Sequence, residues 1–138
     1  MKLETDLFDL AKHKTSALCL CLSHNGEHFA VIGKDKIVRV YKFTTGKIIA
    51  RYDETARHCI EVQNSDKPEY AKFKLDRIEF DRKMAIEKEI EKSTDFMVTT
   101  SIEFDESDTF IIYPSLFGIK VINFHTGEVK FLFKKIIL

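Results

Sequence analysis

Two segments of this chain repeat one pattern of apolar residues and turns, and this repeat is the strongest constraint on the fold. Residues 23–47 read SHNGEHFAVIGKDKIVRVYKFTTGK and align without a gap with residues 104–128, FDESDTFIIYPSLFGIKVINFHTGE. Gly46 meets Gly127 in this alignment, and apolar positions match in type along both copies. Such an internal repeat is typical of folds that stack one supersecondary unit several times.

Each copy predicts four short antiparallel strands separated by turn residues. The strands are expected at 17–22, 28–33, 36–43 and 47–52 in the first copy, and at 98–104, 109–114, 117–124 and 129–135 in the second. A meander of roughly 40 residues has the size of one propeller blade. The strands are apolar on both faces, as expected for a sheet packed between two others. We therefore predict an all-β fold in which two antiparallel four-stranded blades form a partial β-propeller with a helical insert.

A charged insert separates the two copies. Its second part, residues 69–92, contains no Gly and no Pro and predicts a helix. Apolar residues fall on two sides of this helix, so one side could dock on the sheets while the other meets a partner. The predicted interaction surface consists of Phe73, Phe80, Met84, Ile86 and Ile90. The predicted organisation is a strand of a preceding blade at 1–16, a blade at 17–52, a loop and helical insert at 53–96, and a blade at 97–138.

A resemblance to a known family rests on four segments that occur in the same order. They are DLFDLAK, the first repeat copy, IEFDRKMAIEKEIEK at 78–92 and FGIKVINFHTGEV at 117–129. Together they resemble the WD-repeat region of the cyclophilin-type peptidylprolyl isomerase domain and WD repeat-containing proteins. The resemblance implies WD-repeat blades, a nuclear location and spliceosomal protein partners in mRNA splicing. It also implies that Asp35 braces a tight turn, while Gly46 and Gly127 are structural turn residues by their place at predicted strand ends.

The isomerase site of that family is not recognisable in this sequence. A cyclophilin site needs an Arg beside an aromatic pocket, with a Phe-His-Arg run and a Gln-x-Met-x-Gly-Asp run, and neither run occurs here. We therefore predict no catalytic, cofactor-binding or metal-binding residues. The predicted function is a WD-repeat protein-interaction scaffold, a non-enzymatic fragment of a spliceosome-associated isomerase. The alternative is an RNA-binding or other WD-repeat adaptor unrelated to isomerases.

The cysteines raise the question of a metal site. Cys19 and Cys21 lie two apart on a predicted strand and share one face. A zinc site would recruit His24 or His28, but it normally needs four ligands in two close pairs, and no second pair is present. Structural thiols are the favoured interpretation, and no cofactor is predicted.

Charge and hydropathy limit the partners. The chain has 22 Lys and Arg and 22 Asp and Glu, so it lacks the basic excess of a dominant nucleic-acid footprint. Direct RNA binding stays open because the first copy is locally basic, with Lys34, Lys36, Arg39, Lys42 and Lys47. No apolar run approaches the ~18 residues that span a bilayer, so we expect no membrane partner and an intracellular location. Two blades cannot close a ring, and their exposed faces predict self-association.

Overall fold

Two four-stranded antiparallel sheets form most of the computed structural model, which describes residues 5–92 and 100–134. The N-terminal sheet consists of β1 (Ala17–Leu22), β2 (His28–Gly33), β3 (Ile37–Lys42) and β4 (Ile48–Asp53). The C-terminal sheet consists of β5 (Glu103–Phe104), β6 (Phe110–Ser115), β7 (Gly118–Asn123) and β8 (Glu128–Phe133). In both sheets the strands pair in chain order, each with the next, as a simple meander.

The predicted strand positions are confirmed within a residue or two for seven of the eight strands. The turn residues explain this agreement, because Gly46 and Gly127 adopt positive φ angles of 67° and 78° between the third and fourth strands of each sheet. The exception is the strand predicted at 98–104, of which only β5 is observed. The predicted insert and the predicted strand both extend into residues 93–99, which lie outside the described residues.

The two sheets enclose one apolar core between them. Val38 and Val40 from β3 and Ile111 and Ile122 from the C-terminal sheet are each at most 1% exposed in this core. Their alternation along the strands directs every second side chain into it. Two packed sheets do not by themselves make a propeller, which needs about four or more blades in a ring. The observed architecture is therefore a pair of packed antiparallel sheets, and this corrects the prediction of a partial β-propeller.

The gapless repeat alignment misplaces one strand by a residue. Phe29 lies opposite Tyr41 in the N-terminal sheet, whereas its aligned counterpart Phe110 lies opposite Asn123, and Ile111 faces Ile122. The cause is the loop between the second and third strands. Three residues separate β2 from β3, but only two separate β6 from β7. A shift of one residue reverses the faces of a strand, so the two repeats are not superimposable residue by residue.

The opening segment was predicted as a strand, and the structure shows a short helix, α1 (Asp9–Lys12), instead. This segment packs against the N-terminal sheet through polar contacts. The Asp6 N–H donates to the Gly46 carbonyl at 2.9 Å, and the Arg39 guanidinium donates to the Asp9 carboxylate at 2.6 Å. Asp9 is buried in this short helix, where its carboxylate pairs with Arg39. The described residues 5–16 therefore contain a helix and no strand.

The insert forms three helices, two of them where one long helix was predicted at residues 69–92 and one in the part predicted as a loop. They are α2 (Ala56–Asn64), a 3₁₀ helix (Pro68–Phe73) and α3 (Arg77–Lys92). Thr55 caps α2, since its hydroxyl accepts a hydrogen bond from the His58 N–H at 3.2 Å. The Gln63 side chain then holds Leu75 in both directions, accepting from its N–H at 3.0 Å and donating to its carbonyl at 2.7 Å. These bonds stabilise the bend between the 3₁₀ helix and α3.

Candidate functional site

The predicted interaction surface is divided between the interior and the solvent. Phe73, Phe80 and Met84 are each only 7% exposed and pack with Phe117 in a second core. Ile86 is 53% exposed. The side chain of Ile90 lies outside the described residues. Most of this stripe therefore anchors the insert and does not present a surface to partners.

Aromatic rings form the contact between the insert and the C-terminal sheet. Phe117, in the turn between β6 and β7, is 1% exposed. Its ring centroid lies 6.1 Å from that of Phe73 and 6.2 Å from that of Phe80, with the Phe80 ring nearly parallel to it. Such ring pairs stabilise a packed contact beyond the area they bury. Phe117 thus holds both the 3₁₀ helix and α3 against the sheet.

A cavity of about 370 Å³ lies between the end of β4, the C-terminal sheet and the insert. We call it the aromatic cavity. Its walls combine rings and aliphatic side chains with the titratable side chains of Arg51, Asp53, Glu54, His58 and Lys120. The lining side chains used below are those of Tyr52, Glu54, Phe73, Tyr113, Phe117 and Lys120.

The polar end of the aromatic cavity is built around the Glu54 carboxylate. Its Oε1 atom accepts a hydrogen bond from the Tyr113 hydroxyl at 2.6 Å and another from Lys120 Nζ at 2.6 Å. The Lys120 ammonium also lies 5.2 Å from the Phe73 ring centroid and 5.9 Å from that of Phe117. A buried lysine is tolerated only when it is paired, and here the carboxylate and the two rings together stabilise its charge.

Burial sets the protonation of the tyrosines and the cysteine in this region. Burial raises the pKa of Tyr113 well above its ordinary value, and the neighbouring Glu54 carboxylate raises it further. Burial alone raises the pKa of Tyr52. Burial also raises the pKa of Cys59, to about 12, with the Glu54 charge adding to the effect. At neutral pH both tyrosines therefore carry their protons and can donate hydrogen bonds, and Cys59 is a thiol.

Sequence reasoning missed the residues that build this cavity. Glu54 is 59 residues from Tyr113 and 66 from Lys120 in the chain, and it meets them only through packing. One signal was available: the repeat places a basic residue, Arg39 or Lys120, inside the apolar third strand of each copy. Both of these residues are buried and paired with carboxylates.

The predicted turn residues lie where the sequence placed them. The Asp35 carboxylate accepts a hydrogen bond from the Ile37 N–H at 3.2 Å and one from the Arg39 guanidinium at 2.8 Å. An added Cβ at Gly46 would clash with the Thr5 side chain, whereas at Gly127 it would meet nothing within 4 Å. Gly46 therefore allows the opening segment to approach the turn.

The remaining candidates do not converge on a site. Cys19 and Cys21 are half-buried against the core between the sheets. Within residues 5–92 and 100–134, no group of three His, Cys, Asp or Glu side chains could hold a metal ion. Arg39, counted above among the basic residues open to RNA, is 1% exposed and paired with Asp9 and Asp35. In the same part of the chain, no helix is long and apolar enough to cross a membrane.

Comparison with known proteins finds similarity to peptidyl-prolyl isomerases. The chain is 40% identical over 136 residues to peptidyl-prolyl cis-trans isomerase CYP71 of Arabidopsis thaliana, which covers 99% of this chain and 21% of that protein. It is 38% identical over 127 residues to the peptidylprolyl isomerase domain and WD repeat-containing protein 1 of Mus musculus, a match that covers 92% of this chain and 19% of that protein. It is 38% identical over 136 residues to peptidyl-prolyl cis-trans isomerase cyp15 of Rhizopus delemar, a match that covers 98% of this chain and 21% of that protein. The chain spans about a fifth of the length of these relatives. No family model matches it.

These findings correct the interpretation of the chain as a WD-repeat region. All three relatives are named as isomerases, and none of their names assigns the matched fifth to WD repeats. The recognition of a WD-repeat region, the propeller fold class and the prediction of a scaffold without enzyme function are therefore not supported. The alternative of a WD-repeat adaptor unrelated to isomerases is contradicted by the same similarity.

Proposed function

We propose that this chain is part of a peptidyl-prolyl cis-trans isomerase of the cyclophilin type. Because the sequence lacks the Phe-His-Arg and Gln-x-Met-x-Gly-Asp runs of a cyclophilin site, the proposed place of the prolyl peptide is the aromatic cavity. The observation that carries the proposal is the 40% identity to a named isomerase along 99% of the chain. The aromatic cavity supports it, because it joins apolar side chains to buried polar groups.

The reaction needs no nucleophile, metal or cofactor in principle, because no covalent bond is formed or broken. The peptide bond before proline rotates between cis and trans over a barrier of about 20 kcal/mol, and without a catalyst this takes tens to hundreds of seconds. The planar amide of the ground state is more polar than the twisted amide of the transition state, because conjugation places partial charge on its carbonyl oxygen. A site that binds the twisted amide better than the planar one lowers the barrier.

The aromatic cavity has features that suit this task. Tyr70 and Val129, which are half-buried, offer apolar surface beside the buried ring of Phe73, and proline-rich peptides dock on aromatic-lined surfaces in other proteins. Removing the amide from water on that surface weakens the solvation of the planar form. Lys120 and Tyr113 are already held by Glu54, so the polar end is rigid before a peptide arrives.

A kinetic assay on the purified 138-residue chain tests the proposal. A capped Ala-Ala-Pro-Phe peptide is enriched in its cis form in an aprotic solvent and diluted into buffer, and its relaxation to equilibrium is followed by fluorescence or NMR. We expect the chain to accelerate the relaxation in proportion to its concentration, while the same mass of serum albumin leaves it unchanged. Relaxation at the uncatalysed rate would contradict an isomerase site within these residues.

Spliceosomal protein partners and a nuclear location, which the resemblance implies, stay predictions, and so does self-association, which was argued from the strand pattern. We propose the partners and the location only as properties of the longer protein of which this chain spans a part. Self-association is checked by light scattering after size exclusion, and a monomer at all concentrations would contradict it.

A further inference from the structure

At one end of their interface, the two sheets meet through three turns and the side chain of His28. The turns are residues 23–27 before β2, residues 105–109 before β6 and residues 124–127 before β8. We call this end, formed by the three turns and His28, the histidine contact. The Asp108 carboxylate joins two of the turns, because it accepts hydrogen bonds from the His24 N–H at 2.9 Å and the Asn25 N–H at 2.8 Å. The histidine contact therefore holds one sheet directly to the other.

The His28 ring packs across this contact. It lies at the start of β2, and its centroid is 5.2 Å from that of Phe124 and 5.8 Å from that of His125, edge to face in both pairs. Phe124 is 3% exposed and belongs to the core between the sheets. A change in the charge of the His28 ring therefore acts directly on the packing between the sheets.

One ring nitrogen of His28 is buried without a partner. Nδ1 exposes less than 1 Å² and has no hydrogen-bond partner among the described residues. A neutral imidazole tolerates this position, because one of its two nitrogens carries no proton. The cation has a proton on both nitrogens, so Nδ1 would become a buried donor without an acceptor, which is costly.

The charged groups around His28 do not compensate for this burial. Burial lowers the pKa of His28 below its ordinary 6.5, and the charges of His125 and Lys42 lower it further. Glu27 and Asp108 act in the opposite direction without restoring it. Because the folded pKa is the lower one, the neutral ring stabilises the contact above pH 6.5, and this stabilisation is lost as the pH falls below 6.5 towards the folded pKa.

The other titratable groups of the first two turns provide no buried acceptor for the ring. His24 and Glu106 are exposed. Asp105 binds its own turn, since its carboxylate accepts from the Thr109 N–H at 2.9 Å and the Phe110 N–H at 2.8 Å. The protonated ring therefore gains a partner only by reaching water.

We propose that the histidine contact is a pH-sensitive device, in which proton uptake by His28 opens this end of the interface between the two sheets. Opening hydrates the ring and pairs its second N–H with water, and it separates the His28 ring from Phe124. The inference is independent of the proposed function, because none of these side chains is assigned to the prolyl peptide.

Hydrogen exchange of the 138-residue chain at pH 7.5 and pH 5.5 tests the inference, with protection factors corrected for the intrinsic rate at each pH. The reporters at the histidine contact are the Ser23 and Phe43 N–H groups, which donate to the carbonyls of residues 28 and 27 at 2.8 Å. The reporters at the other end of β3 are the N–H groups of Lys36 and Glu54.

We expect protection at the histidine contact to fall severalfold from pH 7.5 to pH 5.5. Linkage limits the fall to about tenfold, because pH 5.5 is one unit below the ordinary pKa of 6.5. Protection at the other end of β3 should change by less than about twofold, since the proton acts locally. An equal fall at both ends, or no fall at either, would overturn the inference.

Two histidine variants show which group is responsible. His28→Phe keeps an aromatic ring beside Phe124 and cannot titrate, so its protection at the contact should be the same at both pH values. His24→Gln is the matched control, because His24 is exposed in the same turn, and it should keep the wild-type fall. A fall that persists in His28→Phe would contradict the proposal.

Titration of the wild-type His28 ring by NMR gives a check that needs no variant. We expect a midpoint below pH 6.5, accompanied by shifts in the resonances of the Phe124 ring. A midpoint at or above pH 6.5 would overturn the inference, since the folded contact would then favour the cation.

Discussion

Single charged residues inside the apolar strands determine how the segments outside the sheets dock. Arg39 is 1% exposed and donates to Asp9 at 2.6 Å and to Asp35 at 2.8 Å. Lys120 has the corresponding place in the C-terminal sheet and donates to Glu54. In each case the carboxylate comes from a segment that lies outside the strand, so the ion pair specifies which segment covers that part of the sheet.

The ion pair between Asp9 and Arg39 predicts a loss of stability in acid. Burial raises the pKa of Asp9, but hydrogen bonds from Arg39 and Arg51 outweigh it and bring the pKa below the ordinary 3.8. A lowered pKa stabilises the folded chain above about pH 4, and this stabilisation is lost as the pH falls through the folded pKa. Asp9→Asn should cost about 3 kcal/mol in the free energy of unfolding at pH 7.

Urea denaturation at pH 7 and pH 3 checks this prediction. The difference between wild type and Asp9→Asn should be smaller at pH 3, because the Asp9 carboxylate of the unfolded wild type, with its ordinary pKa of 3.8, is largely protonated there. An equal difference at both pH values would show that the charge of Asp9 does not stabilise the docked segment.

The insert contacts both sheets and forms one wall of the aromatic cavity. Phe73 from the 3₁₀ helix lines the cavity, and Phe80 from α3 packs behind Phe117. Lys36 of the N-terminal sheet and Glu87 of α3 approach to 3.4 Å, a partly exposed ion pair that adds little by itself. Packing of the aromatic rings therefore contributes most of the docking free energy.

Removing one of these rings should release the insert. Phe80→Ala is expected to lower the free energy of unfolding by about 3 kcal/mol, because it leaves a cavity against Phe117. Ile86→Ala, on the same helix but 53% exposed, is the control and should change it by less than about 1 kcal/mol. Equal losses in the two variants, measured by urea denaturation, would contradict the docking described here.

The strands were predictable from sequence because their limits are local. Turn pairs such as Thr45-Gly46 mark the strand ends, and the alternation of apolar residues fixes which positions are extended. The division of the insert was not predictable, because the bend after Phe73 depends on hydrogen bonds between Leu75 and Gln63, twelve residues apart. The helix-favouring residues continue without a break through Leu75, so the sequence pattern does not predict that contact.

The candidate site was not predictable for a related reason. Apart from the aligned positions of Arg39 and Lys120, its members follow ordinary strand and helix patterns, and the sequence places Phe73 in an interaction surface. The pairing of Glu54 with Lys120 joins residues 66 apart in the chain. The resemblance led to isomerase relatives, but the assignment of this segment to a non-enzymatic WD-repeat region was not supported by the comparison.

At the scale of the whole molecule, the two sheets and the insert surround the aromatic cavity. Tyr52 and Glu54 come from the end of the N-terminal sheet, Phe117 and Lys120 from the C-terminal sheet, and Phe73 from the insert. The cavity therefore exists only when all three parts are in place. Substrate binding and the docking of the insert should stabilise each other, since a ligand that binds only the folded arrangement stabilises it.

The most direct test of the central claim is the rate of cis–trans exchange of the capped Ala-Ala-Pro-Phe peptide, measured by exchange NMR with wild type, Phe73→Leu and Ile49→Leu. Ile49 is 43% exposed on β4, away from the cavity, and provides the control. The account predicts faster exchange with wild type and Ile49→Leu, and about fivefold less acceleration with Phe73→Leu, because one aromatic contact is lost. No acceleration by the wild type, or equal acceleration by all three, would contradict it.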